Sequence, residues 1–313
     1  MRKSVFIDFP INQYLQYLGL QNIIVRRRLP KIIRFLRKLP VFSLYISNTK
    51  ERSMWELDCI GYKTVVLFDT YAHYSEYAHK IERTVSEDTR LILYLLNPAF
   101  FSDDYTKLSN RWEIWTFAKV DSEKYGFRYG GTFYNPHLLK LTEKENRESK
   151  QTDVLFVGTD KGRKIYVNEL ENILTNEGIK CDFRIVDNFK SLFYTGYSRE
   201  VSYLDLCKLI CNSKVILDVV QEGQYGLTLR IMEAILFGKK VITTNKYLAT
   251  DEDFSSNENI YILDKYNLKG LKSFILKPEV PYNENLKQKY SFYSWMERLL
   301  KNRTLNNKDE YTI

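Results

Sequence analysis

The sequence predicts an α/β protein made of two halves, each a parallel sheet covered by helices. Three observations lead there. Short apolar, β-branched runs alternate with stretches of helical periodicity along most of the chain. Those runs are apolar almost throughout, as strands covered on both faces must be. One polar run, residues 142–152 with Glu-Lys-Glu-Asn-Arg-Glu-Ser-Lys-Gln at its centre, interrupts the pattern and reads as a linker. At 313 residues there is length enough for a core on each side of it.

In the first half, residues 5–8, 41–46, 64–68 and 91–96 read as strands. The second half is more regular. Residues 154–158 form a strand ending in glycine, 163–176 a helix, 182–186 a strand, 202–212 a helix and 214–220 a strand. A helix over 227–237 is closed by Gly238, and strands follow at 241–244 and 260–263. This alternation implies right-handed βαβ crossovers. Leu286, Tyr290, Tyr293, Met296 and Leu300 recur at helical spacing and predict a terminal amphipathic helix, with a polar tail after Asn302. There is no internal sequence repeat. The expected domains are residues 1–148, 149–265 and a terminal segment 266–313 that crosses back to the first. The fold expected is therefore two Rossmann-like domains facing a central cleft, with ligands at the carboxyl ends of the strands.

Composition narrows the class. A chain that is 44% hydrophobic and 27% charged is ordinary for a soluble globular protein. No stretch approaches the roughly 20 apolar residues of a membrane span, and Asp8 follows the N-terminus too closely for a signal peptide. Cys59, Cys181, Cys207 and Cys211 lack metal-ligand spacing. Cys207 and Cys211, four residues apart in a helical pattern, read as buried thiols in a reducing cytosol. The net charge of +8 suits nucleic acid, anionic lipid or a phosphorylated small molecule, so its placement decides.

The most informative segment runs from the apolar strand Val215-Ile216-Leu217-Asp218-Val219-Val220 through Gln221-Glu222-Gly223-Gln224-Tyr225-Gly226 into Leu227-Thr228-Leu229-Arg230-Ile231-Met232-Glu233. A strand, a glycine loop and a helix N-terminus present unpaired N–H groups to an anion. Gly226 allows close backbone approach, Arg230 carries a planar fork suited to diphosphate, and Glu233, three residues on, shares its face and suits ribose hydroxyls. Leu227, Ile231, Ala234 and Ile235 form the opposite, sheet-packing face. The plainer reading is a surface Arg230–Glu233 ion pair on a helix bounded by glycines.

This segment resembles the donor-binding helix of GT-B-fold glycosyltransferases, and Gly238-Lys239-Lys240-Val241-Ile242-Thr243-Thr244-Asn245 resembles the strand that leaves it. The nearest likeness is to bacterial enzymes of capsule, O-antigen and lipopolysaccharide-core assembly. The segments Asp153-Val154-Leu155-Phe156-Val157-Gly158-Thr159-Asp160-Lys161-Gly162-Arg163 and Trp115-Thr116-Phe117-Ala118-Lys119-Val120-Asp121-Ser122-Glu123-Lys124-Tyr125-Gly126 are also similar to that group. The resemblance spans residues 60–265 and implies a nucleotide-sugar donor on the second domain, touching Gly158, Lys161, Gly162, Arg163, Gly226, Leu227, Thr228, Arg230 and Glu233. Many retaining members carry Glu-x7-Glu. Glu233 fits the second glutamate, but the first falls on Tyr225, so inversion and retention both stay open.

Other candidates are weaker. Gly158-Thr159-Asp160-Lys161-Gly162-Arg163 is a strand-to-helix turn able to cradle phosphate, though without P-loop spacing; a solvated basic turn is the alternative. Asp69 ends an apolar strand and is the first candidate for a base that deprotonates an acceptor hydroxyl, with His73 the second. The alternative for Asp69 is a helix cap. His79 and His137 read as ordinary packing residues. Asp251-Glu252-Asp253 reads as a solvated acidic loop, so no metal is expected. In the run 26–40, rich in Arg and Lys, Ile32, Phe35, Leu36 and Leu39 share one face of a helix starting at Pro30, and Lys31, Arg34 and Lys38 the other, which suits anionic lipid; a helix packed on its own domain with a wet basic face is the alternative.

The expectation is a metal-independent hexosyl- or related glycosyltransferase, cytoplasmic and peripheral on the inner membrane face, moving sugar from a nucleotide donor to a lipid-linked glycan acceptor. No cofactor beyond the donor substrate and no nucleic-acid partner is expected. The alternatives are a nucleic-acid-binding protein and a non-catalytic sugar-nucleotide binder.

Overall fold

The computed structural model describes residues 4–7, 21–23, 26–28, 49–51, 53–70, 73–142, 152–187, 190–221, 225–264 and 267–301. Contacts divide the chain into Met1–Gly130 and Gly131–Ile313. The strand expected at 41–46, the helix expected from Pro30, most of the polar run at 142–152 and the terminal tail lie outside the described residues.

In the first unit, β1 (Ser4–Ile7), β2 (Gln21–Ile23), β5 (Thr64–Phe68), β6 (Arg90–Leu95), β7 (Trp112–Thr116) and β8 (Arg128–Tyr129) form one sheet in the order β2-β1-β5-β6-β7-β8. Every pairing in it is parallel. β1 and β5 are buried at every position, as their unbroken apolar sequence requires. β3 (Arg26–Arg28) and β4 (Thr49–Glu51) pair separately and antiparallel, so the first three residues of the basic run are extended. Helix α1 (Tyr74–Thr84) buries Tyr74, Tyr77, Ala78 and Ile81, the i, i+3, i+4, i+7 face, in one core with Val65, Leu67, Leu91 and Leu93. A shorter α2 (Lys119–Tyr125) ends at Gly126.

The second unit is also a parallel sheet, in the order β10-β9-β11-β12-β13. Its strands are β9 (Thr152–Thr159), β10 (Cys181–Val186), β11 (Ser213–Asp218), β12 (Lys240–Thr243) and β13 (Ile260–Ile262). The strand order reverses between β9 and β11, and at such a reversal the crossing connections leave on opposite faces and open a crevice. Around the sheet lie α3 (His137–Leu141), α4 (Lys164–Asn176), α5 (Tyr203–Cys211), α6 (Leu229–Phe237) and α7 (Leu271–Leu276). Cys207 and Cys211 are buried on α5.

The chain end departs from the expected single helix. It breaks at Tyr290 into α8 (Glu284–Lys289) and α9 (Phe292–Lys301). The break is fixed by backbone bonds to residue 134: Tyr134 donates to the Tyr290 carbonyl at 2.9 Å, and Phe292 donates to the Tyr134 carbonyl at 2.8 Å. The buried face of α9 is Phe292, Trp295 and Leu299, with Tyr293 turned outward. Trp295 packs on Phe133 with ring centroids 4.3 Å apart.

Candidate functional site

The crevice at the β9/β11 reversal is a cavity of about 420 Å³. Its floor comes from the carboxyl ends of both strands, Phe156 to Thr159 and Leu217 to Gln221, and one wall is the start of α6. Three cations reach it: Lys161, Arg163 and Arg230. It adjoins a shallower basin of about 570 Å³ that shares Thr159, Lys161, Val186 and Glu200 and adds Asp160, Gly162, Asp187 and Lys190.

Each cation is held by its neighbours. Arg163 donates to the carbonyls of Thr159, at 3.0 Å, and Val219, and lies 5.2 Å from the Phe156 ring. Burial pushes its guanidinium pKa down. Gly158 lies beneath it: a Cβ there would sit 2.6 Å from the Arg163 Nη2, so a larger residue would displace the guanidinium. Lys161 is exposed on a left-handed backbone, φ 45°, and donates to Gln221 at 3.2 Å. Asp160 ties this turn down: its Oδ1 accepts from the Lys164 backbone N–H at 3.2 Å and its Oδ2 from the Tyr197 hydroxyl at 2.9 Å. Gly162 is exposed at the same turn and does not line the 420 Å³ cavity.

The segment before α6 is fixed from several sides. Gly226 takes φ 103°, beyond the reach of other L-residues. Its carbonyl accepts from the buried Asn245 amide at 2.8 Å, and the Leu227 carbonyl accepts from Thr132 at 2.8 Å. Thr228 occupies the N-cap position yet makes no side-chain cap bond. Its hydroxyl donates instead to Asp218 at 3.0 Å, leaving the first-turn N–H groups of α6 without a side-chain cap. Asp218 is 5% exposed and also accepts from Thr243 at 2.9 Å. Burial pushes its carboxyl pKa up, against these hydroxyl bonds and the pull of Arg230 and Arg163. Sequence reasoning gave Asp218 no role; the signal was an acid ending an otherwise apolar strand.

Arg230 and Glu233 correct both sequence readings. They are ion-paired, but Glu233 is 1% exposed, so the pair is not on the surface. Arg230 donates its other nitrogen to the Val157 carbonyl at 3.0 Å and still lines the cavity, whereas Glu233 does not. Burial pushes the Glu233 carboxyl up, opposed by Arg230 and a hydrogen bond from Tyr203. Leu227, Ile231, Ala234 and Ile235 are buried as expected. Glu222, Gly223 and Gln224 lie outside the described residues, and Tyr225 is 54% exposed.

The other candidates separate. Asp69 does not cap α1. Its Oδ1 accepts from Leu96 N–H at 2.6 Å and its Oδ2 from Asn97 N–H at 3.0 Å, closing the turn after β6. Burial pushes its carboxyl up to about 6 despite those bonds. It lines a separate cavity of about 220 Å³ with Tyr74 and Asn97, to which His73 does not contribute. His79 donates its Nε2–H to the Lys107 carbonyl, and His137 pairs with the Tyr293 hydroxyl, both packing roles. The acidic triplet is not a solvated loop. Asp251 accepts from the Asp253 N–H, and Asp253 takes bonds of 2.6 Å from both Lys289 and Tyr290, which tether the chain end.

No family profile matches the chain and no curated protein matches it. Solved structures do. A UDP-forming α,α-trehalose-phosphate synthase from Burkholderia xenovorans superposes with TM-score 0.50 at 10% identity, over 78% of this chain and 73% of that one. A protein named TarM gives 0.49 at 14% identity, over 78% and 55%. An α-glucosyltransferase solved with UDP-glucose and DNA gives 0.45 at 9% identity, over 96% and 93%. The first of these shows the fold: two Rossmann-like units of the GT-B glycosyltransferase type.

Proposed function

We propose that the protein is a glycosyltransferase whose second unit binds a nucleotide-sugar donor in the β9/β11 crevice. One observation carries the reading: Lys161, Arg163 and Arg230 converge on a crevice that also receives an uncapped helix N-terminus. Four sources of positive potential around one small cavity suit a diphosphate. They supply the charge that a divalent ion supplies elsewhere, so the reaction needs no metal or other cofactor. The similar trehalose-phosphate synthase is UDP-forming, which supports the direction.

Donor contacts fall to Lys161, Arg163, Arg230 and the backbone at Gly158 and Thr228; Gly162, Gly226 and Leu227 shape the flanking turns without lining the crevice. Glu233 acts through Arg230, fixing the plane of its guanidinium, and reaches ribose only if that pair opens. Negative charge grows on the leaving diphosphate as the glycosidic bond breaks. Fixed cations stabilise that charge more in the transition state than in the bound donor, which is what lowers the barrier. Asp69 is the candidate base for the acceptor hydroxyl. A carboxyl titrating at about 6 is mostly ionised at neutral pH yet more basic than an ordinary aspartate.

The acceptor is proposed to be a lipid-linked glycan of capsule or lipopolysaccharide assembly, met by a peripheral enzyme at the inner membrane face. Its support is the basic run at 26–40 and the net charge of +8. No helix among the described residues is long and apolar enough to cross a membrane. The test is release of nucleoside diphosphate from a panel of uridine and guanosine diphosphosugars. One donor should turn over slowly alone and faster with glycan acceptor, and Arg163→Ala should slow it at least tenfold. No release from any donor, with or without acceptor, contradicts the proposal.

A further inference from the structure

The first unit carries a site of opposite character to the cationic crevice. Its 220 Å³ cavity sits at the carboxyl ends of β5 and β6 and is lined by Asp69, Tyr74, Asn97, Phe101 and Ser102, with no lysine or arginine among its lining residues. A phosphate or other anion would meet a carboxylate there and no counter-charge. An alkyl chain would meet carboxylate, amide and hydroxyl groups that need hydrogen bonds. The chemistry that fits is neutral and rich in hydroxyls.

The rim adds an apolar demand. Phe100 and Phe101 are 50% and 53% exposed, and their rings lie 4.2 Å apart at 38°. They are presented rigidly. The buried carboxylate of Asp121 accepts from the Ala99 N–H at 2.8 Å, and Phe101 N–H donates to the Pro98 carbonyl at 3.1 Å, which closes the turn carrying both rings. Two large rings held in water beside a polar cavity make a stacking platform next to a hydrogen-bonding pocket.

We propose that this cavity binds one pyranose ring of the acceptor, its C–H face on Phe101, with Phe100 extending the platform, and its hydroxyls toward Asp69 and Asn97. The proposal rests on the glycosyltransferase reading and names its acceptor class as a sugar residue, not a lipid or a peptide. After the bonds from Leu96 N–H to Oδ1 and from the Asn97 backbone and side-chain N–H groups to Oδ2, Asp69 keeps a lone pair on Oδ1, so a sugar hydroxyl can donate there without displacing any of them.

The test uses the full chain and ligand-observed NMR with methyl glucoside, methyl galactoside and methyl N-acetylglucosaminide. At least one should bind, with saturation transferred to its ring C–H protons. Its affinity should fall about fivefold to tenfold in Phe101→Ala, as the loss of one aromatic contact implies, and recover in Phe101→Trp. Phe101 is exposed, so the alanine variant should fold, and its melting temperature checks this. Absence of binding by all three glycosides, or binding indifferent to Phe101→Ala, overturns the proposal; binding of decyl alcohol in their place assigns the platform to lipid. UDP and GDP titrated into the same wild-type sample report the donor site separately. Binding of either nucleotide without glycoside binding sinks this proposal alone, and glycoside binding with neither nucleotide bound sinks the donor reading alone.

Discussion

Arg230 is the residue the sequence singles out most strongly, and the structure makes it a poor probe of donor binding. Truncating it leaves the Glu233 carboxylate buried at 1% exposure with its cation gone. Breaking a buried pair from one side costs about 3 to 5 kcal/mol. Arg230→Ala should therefore lower the urea midpoint sharply, and the double variant Arg230→Met, Glu233→Leu should recover much of the loss. An unchanged midpoint in Arg230→Ala contradicts the buried pair. Asp69 gives a pH signature. Burial raises its carboxyl from 3.8 to about 6, so the fold holds this proton more tightly than the unfolded chain does. Its contribution to stability is present below about pH 4 and is lost as pH rises through about 6. Asp69→Asn should flatten that part of the urea-midpoint profile. If Asp69 is also the base, kcat/KM rises through the same window in the wild type and loses this limb in the variant.

At the scale of elements, the buried lysines of the Gly238-Lys239-Lys240 turn show how one short motif organises the second unit. Lys240, 1% exposed, donates to the carbonyls of Phe274, at 2.6 Å, Ile275, at 2.8 Å, and Lys277, all at the carboxyl end of α7. Lys239 does the same for α5 through the carbonyls of Cys211 and Ser213 at 2.8 and 2.6 Å. A cation at the negative end of a helix dipole and several otherwise unbonded carbonyls satisfy each other inside the protein. Lys240→Met should cost about 2 to 3 kcal/mol, the worth of charge-assisted bonds lost from a buried site. Chemical denaturation measures it, and a loss under 0.5 kcal/mol, the scale of a neutral surface change, contradicts the capping role. This is also where legibility ends. The strand itself was readable from Val241-Ile242, but the cross-connections were not, because the carbonyls that the lysines meet lie 26 to 37 residues away. The broken C-terminal helix escaped for the same reason. Its apolar spacing fits one continuous helix, and only the backbone bonds to Tyr134 interrupt it.

At the scale of the molecule, the two parallel sheets were legible because most of their central strands are apolar runs, a pattern that survives any tertiary context. The strands missed in the first sheet were the short, polar β2, β7, whose Trp112-Glu113-Ile114-Trp115-Thr116 alternates with a glutamate that pairs with Arg90, and the very short β8; the charged β3/β4 pair was missed as well. The crevice was half legible: Gly158, Lys161, Arg163, Thr228 and Arg230 were named from the sequence and come together around it, whereas Gly162, Gly226, Leu227 and Glu233, also named, do not line it. Asp218 and Asn245, which fix the segment before α6, are neither glycine nor cationic and gave no motif. The whole account turns on whether that crevice binds a nucleoside diphosphate. Calorimetric titration of UDP and GDP into the wild type and Lys161→Ala tests it most directly, since Lys161 is exposed and its loss leaves the fold alone. Saturable binding of at least one nucleotide is expected, weakened about tenfold by Lys161→Ala, as the loss of a charge-assisted bond worth roughly 1.5 kcal/mol implies, with no change in melting temperature. No binding of either nucleotide, or binding of equal strength in the variant, contradicts it.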